Sequence, residues 1–348
     1  SGYGEAAHAP VWIGYSSAAL AFVLVGTGLH MVQTVGLALA TDLVRAEDQA
    51  KVVGLMFTML LLGMMASALI FGALLEDYSP GRLIRVVQGA AVVTIALNVI
   101  ALWKQEPRDR RRALAPPAPE RFDAAWRAFV SGPGAVRRLV VIGLGTMGFG
   151  MADVLLEPYG GQVLGMSVAE TTRLTAIMAV GGLTGFAIAA RILARGLQPM
   201  PLAALGLIAG IPAFAAIIAA PFAGGASTIA LGTLALGLGA GLFGHGTLTA
   251  TMRAAPADKA GLALGAWGAV QATSAGIAIA LGGMVRDAIM SAPLSAEAGP
   301  AMAYLPVFAL EILCLLLAVL LLVAPRGAWY GTATAVPSSS AERRTSEG

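Results

Sequence analysis

The sequence predicts an all-α polytopic membrane protein, and three observations carry that expectation. The 348 residues are 57% hydrophobic and only 12% charged, whereas a water-soluble domain carries about 25% charged residues. Mean hydropathy is +0.80. Apolar stretches long enough to cross a bilayer, about 20 residues each, recur along the whole chain. The 44 glycines and 18 prolines fit the same class, because small residues let packed membrane helices approach closely.

In chain order, spans are expected at about 12–40, 50–75, 82–103, 136–158, 169–193, 200–220, 227–251, 260–285 and 302–324. Short polar turns such as DLVRAEDQ and EDYSPG separate most of them. Ser1 to Pro10 lacks the basic start of a signal peptide and leads straight into an apolar segment too long for one. The exception among the turns is 104–135, first basic, then proline-rich, then patterned so that Phe122, Trp126 and Phe129 line one face of a short surface helix. If that linker is cytoplasmic and the spans alternate, only Arg82, Arg85, Arg173 and Arg286 of the 22 lysines and arginines fall near the opposite side. This orientation places the C-terminus in the cytoplasm and Ser1 outside.

An offset of 210 residues pairs Gly36 with Gly246, Thr41 with Thr251, Asp48 with Asp258, Gly72 with Gly282 and Asp77 with Asp287. The repeat aligns the first two spans with the fourth and fifth of the second half. Parallel six-span halves joined by a cytoplasmic linker are the major facilitator arrangement. The expected organisation is an incomplete N-terminal helical half over 1–103, a basic cytoplasmic linker over 104–135, a six-helix half over 136–325 and a flexible cytoplasmic tail over 326–348. On that count, nine of an expected twelve transmembrane helices are present. Asp48 and Asp258 are expected to cap the helices that follow them, with Arg45 and Arg253 nearby.

Bond-making chemistry finds no support. There is no HExxH, no GxxxxGK[ST] loop and no recognisable nucleophile set. The single Cys314 excludes an internal disulfide and a cysteine metal cluster. Gly143 to Gly148 spells a loose dinucleotide pattern, but inside a membrane span with no preceding strand it reads as helix packing. No nucleic-acid partner is expected.

Polar groups within spans are the informative ones, since they cost free energy unless paired or hydrated. Asp153 and Glu157 share a helical face, and Pro158 is expected to end that helix near the outer boundary. Gln162, Glu170 and Arg173 follow on the same side. They make either a gating or ligand-contact cluster, or a set of boundary caps and ion pairs. His30 and His245 can ligate the magnesium of a chlorin or serve as hydrogen-bonded packing residues. Trp267 and Gln271, four apart, offer a ligand an aromatic plate beside an amide, or simply pack. Glu311 is expected to face the protein interior or a partner.

The stretches LLEPYGGQVLGMSVAETTRLTAIMAVGGLTGF and KAGLALGAWGAVQATSAG, with ATDLVRAEDQAKVVGLMFTMLLLGM in the first half, resemble the bacteriochlorophyll-delivery branch of the major facilitators. This is the PucC/LhaA family of light-harvesting complex assembly proteins, and the resemblance covers about 10–325. It implies a non-enzymatic assembly factor that handles bacteriochlorophyll or a late precursor. The implied partners are antenna polypeptides of LH1 or LH2, with the reaction-centre core complex or pigment-synthesis enzymes as further candidates, in a bacterial cytoplasmic or photosynthetic membrane. The motifs carried over are Glu157-Pro158-Tyr159-Gly160-Gly161-Gln162 and Gly265-Ala266-Trp267-Gly268-Ala269. The resemblance supplies no pigment ligand, so His30 and His245 stand on their chemistry alone. Glu157 is expected to form the outer polar end of a pigment-handling groove. A small-solute facilitator and an antenna-binding scaffold without pigment are the alternatives.

Overall fold

Long apolar runs become long helices, and the computed structural model is all-α over the residues it describes, 11–45, 49–103, 122–254, 260–292 and 299–324. The helices are α1 Val11–Asp42, α2 Gln49–Leu74, α3 Pro80–Leu102, α4 Phe122–Val130, α5 Ala135–Gly150, α6 Ala152–Leu164, α7 Val168–Ala194, α8 Pro199–Ala219, α9 Ala226–Ala254, α10 Ala260–Met290 and α11 Ala301–Val323. With α5 and α6 counted as one interrupted span, nine segments among the described residues are long and apolar enough to cross a membrane. The chain is a multi-pass membrane protein. Asp48 and Asp258, the basic stretch 104–121 and the tail 326–348 lie outside the described residues, so the capping expected of the two aspartates is not among the observations.

Local chemistry sets several helix ends. Ser79 accepts from Arg82 N, with Pro80 in the first turn of α3. Ser167 and Glu170 form a reciprocal capping box that opens α7. Gly165, at φ 67°, closes α6 in the left-handed conformation that glycine adopts without a Cβ penalty. Two arginines bond to carbonyls at helix C-terminal ends, where no intrahelical donor remains. Arg253 donates to Leu197 O at 3.2 Å and Leu193 O at 3.4 Å, beyond and within the last turn of α7. Arg137, at the start of α5, donates to Leu322 O and Ala324 O at 2.8 Å each, closing the end of α11.

The fourth span departs from the sequence expectation. Pro158 lies inside α6, which runs on to Leu164, and the interruption falls at Met151 instead. A proline within a membrane helix is tolerated where neighbouring helices hold the segment. Here Tyr159, 1% exposed, donates its hydroxyl to Ile217 O at 3.0 Å and fixes α6 against α8. At the true interruption the Glu311 carboxyl, fully buried, accepts from Ala152 N at 2.7 Å. Glu311 therefore faces the interior, as its cost in lipid requires.

The core centres on α9, packed between α7 and α8. The contact is backbone on backbone: a Cβ on Gly237 would collide with Met178 O, and one on Gly181 with Leu234 O. The loose glycine pattern in α5 is likewise used for packing, but it admits side chains, Phe243 at Gly145 and Leu315 at Gly148. Tyr159, Phe214, Tyr304 and Phe308 fill the space between α6, α8 and α11. Among the first three spans, α2 makes the main connection to this core by packing along α7. No residue of α3 is buried. The short α4 forms as the pattern predicts, with Phe122 and Trp126 stacked at 6.3 Å and Trp126 against Phe129 at 5.8 Å.

Candidate functional site

Trp267 is held firmly. It is 2% exposed, its Nε1 donates to Thr247 Oγ1 at 3.3 Å, and its ring meets Phe57 edge-on at 5.6 Å. Thr247 is fixed in turn by donating to Phe243 O at 2.9 Å. From Phe57 an aromatic row continues through Phe186 at 6.1 Å to His245, which lies edge-on to Phe186 at 4.1 Å. His245 is 8% exposed and its Nδ1 has no hydrogen-bond partner among the described residues.

Trp267, with Gln33, borders two adjoining cavities. One, of 510 Å³, lies between α1 and α10, lined by His30, Thr27, Gln33, Thr34 and Trp267 together with apolar and glycine positions of both helices. The other, of 330 Å³, is walled by α1, α2, α6, α7, α9 and α10 and includes Gln33, Asp153, Trp267 and Gln271 among otherwise apolar residues. The structure thus brings His30, Trp267 and Gln271 to adjoining spaces. His245 stands behind the wall rather than in the lining of either.

Gln33 was not singled out from sequence. The available signal was its spacing, three residues after His30 on the same helical face. Asp153, on the same helical face as Glu157 in the sequence pattern, lines the central cavity, whereas Glu157 bonds to Thr175.

Glu157 and Gln162 do not meet in one groove. Thr175 donates to Glu157 Oε1 at 2.6 Å, tying α6 to α7. Gln162 Oε1 accepts from Tyr304 Oη at 2.7 Å and from Arg286 at 3.0 Å, tying α6 to α11 and α10. Arg286 also pairs with Asp287 at 2.7 Å and lies 5.5 Å from the Tyr304 ring centre. Glu170 is engaged with Ser167 in the α7 cap. Arg173 instead borders an apolar cavity with Met65 and Leu69. The polar residues that follow Asp153 in sequence are therefore distributed among several helix–helix ties. Among the described residues, no group of three or more His, Cys, Asp or Glu is placed to hold a metal ion, and Cys314 is buried and unbridged.

Residues 1–325 match the family model described as PUCC protein. The chain is 56% identical to Protein PucC of Rhodobacter capsulatus, over 92% of this chain and 70% of that protein. It is 27% identical to the Bacteriochlorophyll synthase 44.5 kDa chain of Rhodobacter capsulatus, over 76% of this chain and 62% of that one. Among solved structures, a bacterial homolog of the human lysosomal transporter Spinster, inward-facing and unoccupied, superposes with a TM-score of 0.56 at 19% identity, covering 82% of this chain and 72% of that one. That likeness concerns the fold, which is all-α, polytopic and of major-facilitator type.

Proposed function

This chain belongs to the PUCC protein family, and from that premise we propose that it is a non-enzymatic assembly factor that binds bacteriochlorophyll, or a late precursor, and passes it to antenna polypeptides of LH1 or LH2. The observation that carries the reading is the cavity between α1 and α10, where His30 and the pinned ring of Trp267 share apolar walls within the membrane. Its chemistry suits the cargo. A neutral imidazole is a ligand for the magnesium of the pigment, the indole offers a flat apolar surface, and glycines along α10 leave room for a broad ring. Sites for small molecules are of this kind, largely apolar with a few placed polar groups. The kinship to a chain named for bacteriochlorophyll synthase supports the pigment class.

In this reading residues 1–103 belong to an N-terminal helical half and 136–325 form the second half. Residues 104–135 form the cytoplasmic linker, and 326–348 a cytoplasmic tail. The protein resides in the bacterial cytoplasmic or photosynthetic membrane. Glu157, Gln162 and His245 hold the frame around the cargo through their helix ties and aromatic packing, while His30, Trp267 and Gln271 contact it.

The test is pigment analysis of protein purified in mild detergent from a phototrophic bacterium, with antenna polypeptides quantified in the same sample. Stoichiometric bacteriochlorophyll in antenna-free protein, lowered several-fold by His30→Leu, is the expected result. Antenna polypeptide without pigment would convert the reading to a scaffold. Neither, together with solute flux in proteoliposomes, would make the chain a facilitator.

A further inference from the structure

The polar side chains of the central cavity contrast with many of the other polar groups inside the spans. Thr58, Thr184, Thr233, Thr247 and Thr251 each donate to a backbone carbonyl one turn back, at 2.7–2.9 Å. Tyr159 and Gln162 are bonded to neighbouring helices. Asp153, Gln33 and Gln271 have no hydrogen bond or ion pair with any described residue, yet all three line the same 330 Å³ space. They come from α6, α1 and α10, so no single helix dictates their convergence. No lysine, arginine or histidine stands among the residues lining it.

From this convergence we propose that the central cavity is a carbonyl-recognising subsite, in which Asp153 in its neutral form, with Gln33 and Gln271, donates hydrogen bonds to the polar rim of a flat, otherwise apolar ligand. The physical argument runs through desolvation. An apolar ligand that fills the cavity expels water, and an acid left ionised without a cation in low dielectric is costly. A neutral carboxyl avoids that cost and carries one O–H donor. Each glutamine supplies two N–H donors. Two other carboxyls stand near this part of α6, and both are engaged: Glu311 accepts from Ala152 N, the residue before Asp153, and Glu157 accepts from Thr175. A metal ion is not the fitting occupant, since hard cations take six or more oxygen ligands and three side chains fall short. The subsite therefore suits ligands whose rim carries keto, acetyl or ester groups.

This inference rests on the pigment-binding reading, because the central cavity shares Gln33 and Trp267 with the cavity that contains His30. Ring and rim would then be received by adjoining spaces, the magnesium side at His30 and the carbonyl rim at Asp153.

The experiment uses the full chain in detergent with purified bacteriochlorophyll a as probe, reading affinity by fluorescence quenching and hydrogen bonding by the carbonyl stretching bands in resonance Raman spectra. In the unsubstituted protein a carbonyl band lies below its position in a non-donating solvent. Asp153→Leu returns that band towards the solvent position and weakens binding about tenfold, the worth of one hydrogen bond. Asp153→Asn, which keeps a donor, stays within about threefold of the original. Thermal unfolding of each variant shows whether Asp153→Leu is folded, and Gln33→Leu provides a second loss of donor on another helix.

Two results overturn the proposal. If pigment binds and His30→Leu releases it, but neither Asp153→Leu nor Gln33→Leu moves a carbonyl band, the subsite falls while the pigment-binding reading stands. If the unsubstituted protein binds no pigment, both fall together.

Discussion

The first three spans and the last six are built from the same apolar alphabet, yet they pack in opposite ways. In α9, sixteen residues are buried, seven of them from Phe243 to Ala250 alone being Phe243, His245, Gly246, Thr247, Leu248, Thr249 and Ala250. In α3 none is, and α1 exposes Phe22 at 79% and Trp12 at 68% of their surface. Glycine makes the contrast sharper. Those of α9 other than Gly244 lie against neighbouring backbone, whereas a Cβ on Gly14, Gly26 or Gly28 of α1 would meet nothing within 4 Å. Hydropathy identifies both regions as membrane-spanning, because it measures compatibility with lipid and not the presence of a neighbour. Packing in lipid depends on how closely backbones approach, and that is decided by which small residues coincide across an interface.

Matched substitutions in the two regions are the most direct way to break this comparison. Gly237→Ala forces a methyl into Met178 O, a backbone atom that cannot swing aside. The expected cost is about 3 kcal/mol, at the upper end for overpacking, read as loss of monodisperse protein in fluorescence-detected gel filtration and a lowered Tm. A Gly237→Ala protein as stable as the original would show that α7 and α9 do not pack as described.

Next in size is Glu311→Ala, which leaves Ala152 N buried without its acceptor and costs about 1–3 kcal/mol in denaturant titration. Glu311→Gln keeps an acceptor and recovers most of that. Equal effects of the two would assign the loss to volume and not to the hydrogen bond. Trp267→Phe removes the donor to Thr247 Oγ1 while keeping an aromatic ring, for about 1 kcal/mol. Smallest is Gly28→Ala, expected within about 0.5 kcal/mol of the original. A loss at Gly28 comparable to that at Gly237 would mean that α1 is packed against something in the membrane.

The sequence showed the spans clearly and their relations poorly. Nine apolar segments were legible, with edges close to those observed, because a long apolar run has few alternatives to a membrane helix. The fourth span misled because Pro158 is the more visible helix breaker, whereas the actual interruption at Met151 follows only glycines, Gly148 and Gly150, which recur throughout these spans. What supports it is Glu311, 159 residues away in sequence. The same holds for the candidate site. His30 and Trp267 were legible as chemically suited residues, but nothing local announces that α1 and α10 place them on one cavity. Gln162 looked like a ligand contact because its partners, Arg286 and Tyr304, lie 124 and 142 residues further on.

The tie between Glu311 and Ala152 has a consequence for how the protein is made. The ribosome delivers α6 well before α11, so during synthesis the N–H groups that open α6 wait in the membrane without their acceptor. Arg137 waits likewise for the carbonyls of Leu322 and Ala324. Both are completed by α11, one midway along it and one at its end. A nascent chain halted before α11 would thus carry two unfinished polar ends in the bilayer, marking it as incomplete to any quality-control protease that reads exposed polar groups in lipid.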